Sequence, residues 1–380
     1  MTQPAAVARL AVAALSARTL VEAAVRAGYR AVALDLFGDT DTRAAATQWL
    51  GIGNTLSSRI EPELFLRGLH GLARSGQAEG WVYGSGFEGL ADVLQDAEGL
   101  LPLWGTSARA LRRLRRPEEF FGCLEAHHLP HPEVLFSHAN RGWLLKAAGA
   151  CGAAHIRRAD ATQKLPDGFY AQREVPGRAL SASYLANGRE ALVLGFNEQL
   201  VQAHAGQPFV FSGVIGPVPL PDAVRHEIER ALSVLTTEFD LRGLGSLDFM
   251  LDRQQLWLLE VNPRPSASLP LHDHRSQPLL HAHAQACQGE DLATLRLAPS
   301  SALVRGIQTL FARQRVHINH PHAAVLQART QVHDCPTLGS VVDSGQPLCS
   351  VSASALDADG VRAELAKRAS TLLSTLESIA

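Results

Sequence analysis

The sequence has no excess of charge of either sign, no long apolar run and no paired cysteines. Its 380 residues carry 35 Lys and Arg against 37 Asp and Glu, a formal charge of −2 with His neutral. That balance argues against a basic nucleic-acid binder. Apolar stretches are broken by Arg, Glu or Gly well before the roughly 18–20 residues needed to span a bilayer, so a membrane-spanning helix is excluded. The five cysteines, Cys123, Cys151, Cys287, Cys335 and Cys349, are odd in number and contain no C-x-x-C pair. This usage suits a reducing, cytoplasmic setting and not a disulfide framework. There is no internal repeat and no low-complexity linker. What is present is 46% hydrophobic and 19% charged residues, enough for a sizeable core. At roughly 100–200 residues per domain the chain predicts two or three domains.

Residues 8–15 (ARLAVAAL) form a short apolar run. Leu20, Ala24, Val25 and Ala27 follow at helical spacing up to Gly28, and a second apolar run, Arg30–Leu34, ends at Asp35. This is β-α-β, the unit of a parallel sheet. Leu10–Ala17 also looks like the apolar core of a signal peptide, but a basic flank is nearly absent and a folded segment is the better reading. Trp81–Tyr83 reads as a strand entering Gly84-Ser85-Gly86, Leu90–Leu94 as helix, and Leu101–Gly105 as a short edge strand. An N-terminal α/β domain is therefore expected over 1–105. A helix with five arginines between Arg109 and Arg116, read as a solvated face, is expected over Ala108–Ala126. Strand-like runs follow from Val134, then a helix at Asp222–Glu238 and a His-rich segment at Leu271–Gln288, giving a central α+β domain over 106–295. The last region, 296–380, has β-like runs at Gly306–Phe311, Ala324–Ala328, Gly339–Val342 and Pro347–Val351 before an amphipathic helix, Ala358–Ile379.

The most informative stretch is Gly243–Ser268. Two apolar runs, Ser246–Leu251 and Leu256–Val261, flank Asp252-Arg253-Gln254-Gln255 and read as a β-hairpin. If Asp252 faces Leu256 across a three-residue loop, Asp248 lies opposite Glu260 on one face, and Asn262 shares it because strand side chains alternate with period two. Two carboxylates about 4 Å apart would repel by about 4 kcal/mol at an effective dielectric near 20. A divalent oxygen-seeking cation relieves this, and Asp, Glu and Asn oxygens are what Mg²⁺ accepts while phosphate oxygens complete its shell. The plain alternative is a hairpin with a solvated polar face.

Asp248 with Glu260-Val261-Asn262-Pro263-Arg264 resembles the metal-binding hairpin of the ATP-grasp superfamily. Trp143–Gly152 (WLLKAAGACG) is similar to that family's strand with a nucleotide-phosphate lysine and its small-residue loop. Phe169–Gly177 (FYAQREVPG) resembles its adenine-binding linker. The opening motifs Ser16-Ala17-Arg18, Asp35–Arg43 (DLFGDTDTR) and Tyr83–Glu88 (YGSGFE) look like the N-terminal domain of a group of carboligases described as ATP-dependent and related to biotin carboxylase. That group is found alongside tetrahydromethanopterin-linked one-carbon metabolism. Pro336–Ala353 resembles the small C-terminal domain of biotin-carboxylase-like proteins.

The resemblance implies an ATP-grasp fold with an N-terminal parallel-sheet α/β domain and a small β-rich C-terminal domain. It implies ATP and Mg²⁺ as cofactors, with Mn²⁺ as the alternative ion, and an ADP-forming ligase that joins a small carboxylate to an amine or thiol through an acyl phosphate. Asp248, Glu260 and Asn262 would hold the metal and Lys146 the phosphates. Gly149 and Gly152 would close over the phosphates, and Gln172, Arg173 and Val175 would line the adenine site. Arg264 would take the substrate carboxylate or acyl phosphate. The sequence departs from the family at Ala147, where Pro is frequent, at Cys151-Gly152, where a Gly pair is common, and at Gln172, where Glu is frequent. It also has arginines where relatives carry a second nucleotide-contacting Lys, so that Arg113 or Arg116 would have to serve. Two alternatives stay open: a bicarbonate-using carboxylase-like enzyme, although no biotin-carrier segment is present, and a non-catalytic nucleotide-binding module. Oligomeric state is open between monomer and homodimer.

Other residues point less far. Gly84-Ser85-Gly86 lacks the G-x-x-x-x-G-K-[ST] pattern of a phosphate loop and reads as a substrate-side turn. His272, His274, His281 and His283 form two H-x-H pairs with the residue type, but no accompanying pattern, of a transition-metal site. Cys151 has no His–Asp partners for nucleophilic work. His127, His128 and His131 read as a helix end and turn.

Overall fold

The computed structural model describes residues 8–55, 58–149, 156–273, 278–295 and 302–379. Its first sheet is parallel, in the order Gln48–Gly51, Arg30–Asp35, Arg9–Ala13, Gly80–Tyr83. Both faces of the Arg9–Ala13 strand are covered: Leu10 and Val12 join a core with the Arg18–Arg26 helix, Ala11 and Ala13 one with Phe65, Trp81 and Phe87. A parallel strand covered on both faces is apolar throughout, so this segment resembles a signal-peptide core in composition. The expected edge strand at Leu101–Gly105 amounts to a single bridge, Leu103 to Trp81.

The arginine-rich helix is two helices, Ala108–Leu114 and Pro117–Ala126. Pro117 disfavours a helical conformation at the residue before it, and Arg116 is extended (φ −97°, ψ 105°). That break aims Arg115 differently from its neighbours, with consequences for the site.

A small antiparallel sheet, in the order Arg157–Arg158, Leu144–Ala147, Phe169–Gln172, Val134–Leu135, faces a sheet of eight strands. The large sheet runs Gln255–Asn262, Arg242–Asp252, Arg178–Asn187, Ala191–His204, Gln207–Gly216, Val304–Phe311, Pro347–Ala355, Val332–His333, with every neighbouring pair antiparallel. The Asp222–Phe239 helix packs Val224, Ile228, Leu232 and Leu235 into its main core. The last three strands belong to the region beyond residue 296, so the C-terminal part continues the central sheet while building its own core with the Ala358–Ser378 helix. Ala324–Ala328, expected as strand, lies mostly in the His320–Gln327 helix, whose start is set by the Asn319 cap and the proline after His320.

The seam between the two sheet halves is the pairing of Gln207–Gly216 with Val304–Phe311. At Gly213 a Cβ would run into the Ile307 carbonyl oxygen and lie 2.9 Å from the Gln308 Cα. Gly213→Ala is therefore expected to destabilise the chain by about 2–3 kcal/mol, read as a lower urea midpoint. An unchanged midpoint would show that the seam yields without loss.

Candidate active site

The hairpin brings the two carboxylates together by a route different from the expected one. Its turn has two residues: Asp252 faces Gln255, and Arg253 sits at φ +54°. Left alone, this shift would turn Glu260 away from Asp248. A bulge at Leu259 shifts the register back, so that Asp248 faces Glu260 and Ser246 faces Asn262. One Asn262 amide nitrogen then reaches both carboxylates, donating to Asp248 Oδ2 at 3.2 Å and to Glu260 Oε1 at 3.5 Å. Asp248 Oδ1 is buried without a hydrogen-bond partner. Burial first, then the Glu260 charge, pushes the Asp248 carboxyl up to about 7, with the Gln199 side chain and the Arg264 and Lys146 charges opposing.

These atoms fit an oxygen-seeking cation that keeps part of its water or phosphate shell. Among the described residues no three His, Cys, Asp or Glu side chains gather as a complete cage. Two carboxylates and an amide are the modest protein share that Mg²⁺ accepts, and the orphaned Asp248 oxygen supplies an open position. For Asn262 to be a ligand its amide must turn over, because its oxygen now accepts from Arg115 at 3.1 Å.

Lys146 lies on the Leu144–Ala147 strand, opposite Tyr170. It is 6% exposed, and its ammonium donates to the neutral Gln172 amide oxygen at 3.1 Å and lies 6.0 Å from the Tyr170 ring centroid. Gln172 thus leaves this buried cation beside a neutral acceptor. Lys146, Gln172, Arg173, Val175, Asp248, Glu260, Asn262 and Arg264 all line one cavity of about 1100 Å³. On its linker wall the Arg173 N–H donates to the Glu133 carbonyl at 2.9 Å. Gly177, at φ +120°, lets the linker pass the hairpin, for a Cβ there would lie 2.6 Å from the Leu251 carbonyl carbon.

Arg264 leaves the hairpin end for the N-terminal region. Its Nε and one terminal nitrogen donate to the same Glu88 oxygen at 2.8 and 2.7 Å, and Glu88 is 4% exposed. Burial alone would raise the Glu88 carboxyl, but the Arg264 and Arg115 charges outweigh it and hold it at about 2. The pair fixes the guanidinium plane at the cavity wall, and the Tyr83 hydroxyl ties the same junction by donating to the Thr106 and Pro263 carbonyls.

Arg113 and Arg116 are not brought to the cavity. Arg113 bonds Glu119, donates to the Glu238 carbonyl and covers the Phe239 ring, while Arg116 pairs with Glu119 in the open. Their neighbour Arg115 reaches the hairpin instead, 3.3 Å from Glu260 Oε2. The break at Arg116 places Arg115 at a helix end, which helical periodicity over an unbroken helix does not anticipate. Gly149 packs its main chain against Gly89 and is not part of the cavity wall. Gly152, Cys151 and His274 lie outside the described residues. The remaining histidines have structural roles. His283, buried, accepts from the Leu244 N–H at 2.8 Å and sits 2.9 Å from the Trp104 carbonyl, and burial holds it neutral, down to about 4. His272 bonds Asn197 at 2.8 Å. His281 and His283, two apart on a helix, face different ways and cannot share one ion.

Sequence signals existed for two residues that were passed over. Glu88 closes the YGSGFE motif and Arg115 belongs to the arginine run, but nothing local connects either to the hairpin.

A family model described as the ATP-grasp domain matches residues 119–268. Over 95 residues the chain is 28% identical to the carbamoyl phosphate synthase large chain of Methanobrevibacter smithii, a match covering 24% of this chain and 9% of that protein. The biotin carboxylase domain of the Hydrogenobacter thermophilus 2-oxoglutarate carboxylase, a dimer in complex with MgADP, ADP and bicarbonate, superposes with a TM-score of 0.70 at 13% identity, over 91% of this chain and 86% of that one. The L-amino acid ligase of Bacillus licheniformis superposes with a TM-score of 0.68 at 13% identity, over 95% of this chain and 96% of that one. At these identities the likeness is one of fold. The paired sheets and the matched segment agree: the chain has the ATP-grasp fold, and residues 119–268 are the part that the ATP-grasp family model matches.

Proposed function

We propose that this chain is an ATP-dependent, ADP-forming ligase that activates a small carboxylate as its acyl phosphate and passes the acyl group to an amine. The observation that carries this reading is the opposite polarity of two buried groups in one cavity. Lys146 is a buried cation bonded to a neutral amide, and Asp248 with Glu260 is a carboxylate pair with an orphaned oxygen. A buried ammonium without a carboxylate bonded to it favours an anion, and phosphate oxygens meet that need. Mg²⁺, when bound by Asp248, Glu260 and Asn262, supplies the countercharge for the transferring phosphoryl group. The Arg173–Val175 main chain takes the purine edge, and Arg264, held flat by Glu88, presents its guanidinium to the acid being activated. The cavity is closed by the N-terminal and C-terminal regions as well as the two facing sheets, an arrangement suited to keeping water from an acyl phosphate. On the resemblance of the N-terminal motifs we extend the reading to a ligation in cofactor assembly for one-carbon metabolism.

ADP release measured against pools of small acids, amines and bicarbonate tests this. Release that needs both an acid and an amine is expected. Release with bicarbonate alone would make the chain carboxylase-like. Nucleotide binding without release under any pairing would make it a non-catalytic module.

A further inference from the structure

The same cavity has a second charged wall, built by the N-terminal and C-terminal regions, where Arg18, Asp39 and Asp334 line it and the charges of Asp35, Asp41 and Asp334 act on Asp39. Three of these carboxylates are occupied. Asp35 accepts from the Ala17 and Gly38 N–H groups, each at 2.9 Å, and from the Trp49 indole at 2.7 Å. Asp41 accepts from the main-chain N–H of Asp334 at 2.7 Å and of Cys335 at 3.2 Å. Asp334 takes Arg18 Nε at 2.7 Å, and the other side of that guanidinium goes to Glu22 at 3.1 Å.

Asp39 is different. It is 7% exposed, lines the cavity, and its carboxylate meets no hydrogen-bond donor or ion-pair partner among the described residues. Burial first, then the charges of Asp334, Asp41 and Asp35, push its carboxyl up to about 8, with Arg18 only partly opposing. With its neighbours already bonded, Asp39 holds its proton at neutral pH and gives it up when a cation arriving through the cavity supplies the countercharge.

We propose that Asp39 binds the ammonium group of the amine substrate, and that this substrate is a primary amine carrying a positive charge at the group Asp39 meets. The proposal rests on the ligase reading for the word substrate, but the binding site stands on the geometry of this wall. A divalent metal fits poorly, because it needs about six oxygens and only the Asp39 carboxylate is free of donors. An ammonium, with three N–H donors and one charge, matches a single carboxylate in a cavity that Ser16 and Ser85 also line. A substrate carboxylate would be repelled here, which leaves Arg264 as the group for the acid.

The test measures amine binding separately from turnover. Thermal midpoints of the full chain, with and without MgADP, are followed with butylamine, cadaverine and phenethylamine as probes, against butanol and phenethyl alcohol as neutral shape matches. At least one amine is expected to raise the midpoint where its alcohol does not. Asp39→Asn and Asp39→Ser should each weaken that amine about a hundredfold while leaving the MgADP shift intact. Both substitutions place good N-cap residues before the Thr40–Ala45 helix, so the fold is retained. Equal response to amines and alcohols, or an unchanged amine affinity in the two variants, overturns the proposal. Failure of the ligase reading has a different signature: amines bind through Asp39, yet no acid and amine together release ADP.

Discussion

Replacing Asp248 by Asn together with Glu260 by Gln is expected to abolish the Mg²⁺-dependent part of nucleotide binding and with it ADP release, while the fold survives. The pair keeps its size and hydrogen-bonding capacity but loses about two negative charges from the proposed metal site, and a hard cation held by only two carboxylates has nothing to replace them. The effects on the metal-free protein separate the two residues. The folded Asp248 carboxyl is raised to about 7 by burial and by Glu260. Its contribution to stability is therefore fully present below pH ~4, the unfolded value, and is lost as pH rises through the folded value. At pH 8, Asp248→Asn alone restores it and is expected to raise the thermal midpoint. Glu260 is not an unpaired charge, since Arg115 lies 3.3 Å from it with a side chain only 10% exposed. Glu260→Gln alone leaves that guanidinium short of a counter-charge and should lower stability by about 1 kcal/mol. Melting curves with and without Mg-ATP, beside an ADP-release assay, check both halves. Near-native ADP release by the double variant would move the metal site elsewhere and remove the main support for the ligase reading.

Lys146→Met is expected to lower nucleotide affinity by about ten- to a hundredfold, the equivalent of losing charge-assisted hydrogen bonds worth roughly 1.5–3 kcal/mol. Folding should change little, because two effects oppose each other. Methionine removes the desolvation cost of a buried ammonium, while the Gln172 amide oxygen loses the donor now 3.1 Å away. The Leu144–Ala147 strand keeps its pairing with Phe169–Gln172, which depends on main-chain atoms alone. A titration of the variant with Mg-ATP, followed by its thermal shift, reads the affinity. An affinity equal to that of the native chain would place the phosphates away from this lysine.

The hairpin shows how far local pattern reaches. Period-two alternation and a polar tetrapeptide between apolar runs were enough to place Asp248 and Glu260 on one face, and the structure has them so. Two departures from the expected hairpin compensate each other: the turn is one residue shorter, and Leu259 is bulged out. A bulge leaves little trace in composition, since the extra residue is one more leucine at the end of an apolar run. The arginine run failed for a related reason. Its composition suggested a continuous solvated helix, but Pro117 divides it, and the one guanidinium that the division turns inward is Arg115.

What the sequence by itself determined is what repeats over short separations: the β-α-β opening, the buried parallel strand that imitates a signal peptide and the two carboxylates of the hairpin. These follow from helix and strand periodicity and from which residues tolerate a turn. The tertiary structure alone decided which distant groups complete the cavity. Glu88 fixes Arg264 across 176 positions, and Arg115 reaches Glu260 across 145. Asp334 joins Arg18 from the far end of the chain, so that Asp39 is left buried without a partner among the described residues. Burial and electrostatic pairing depend on distance in space, and side chains separated by half the sequence carry no local pattern that records which of them will meet.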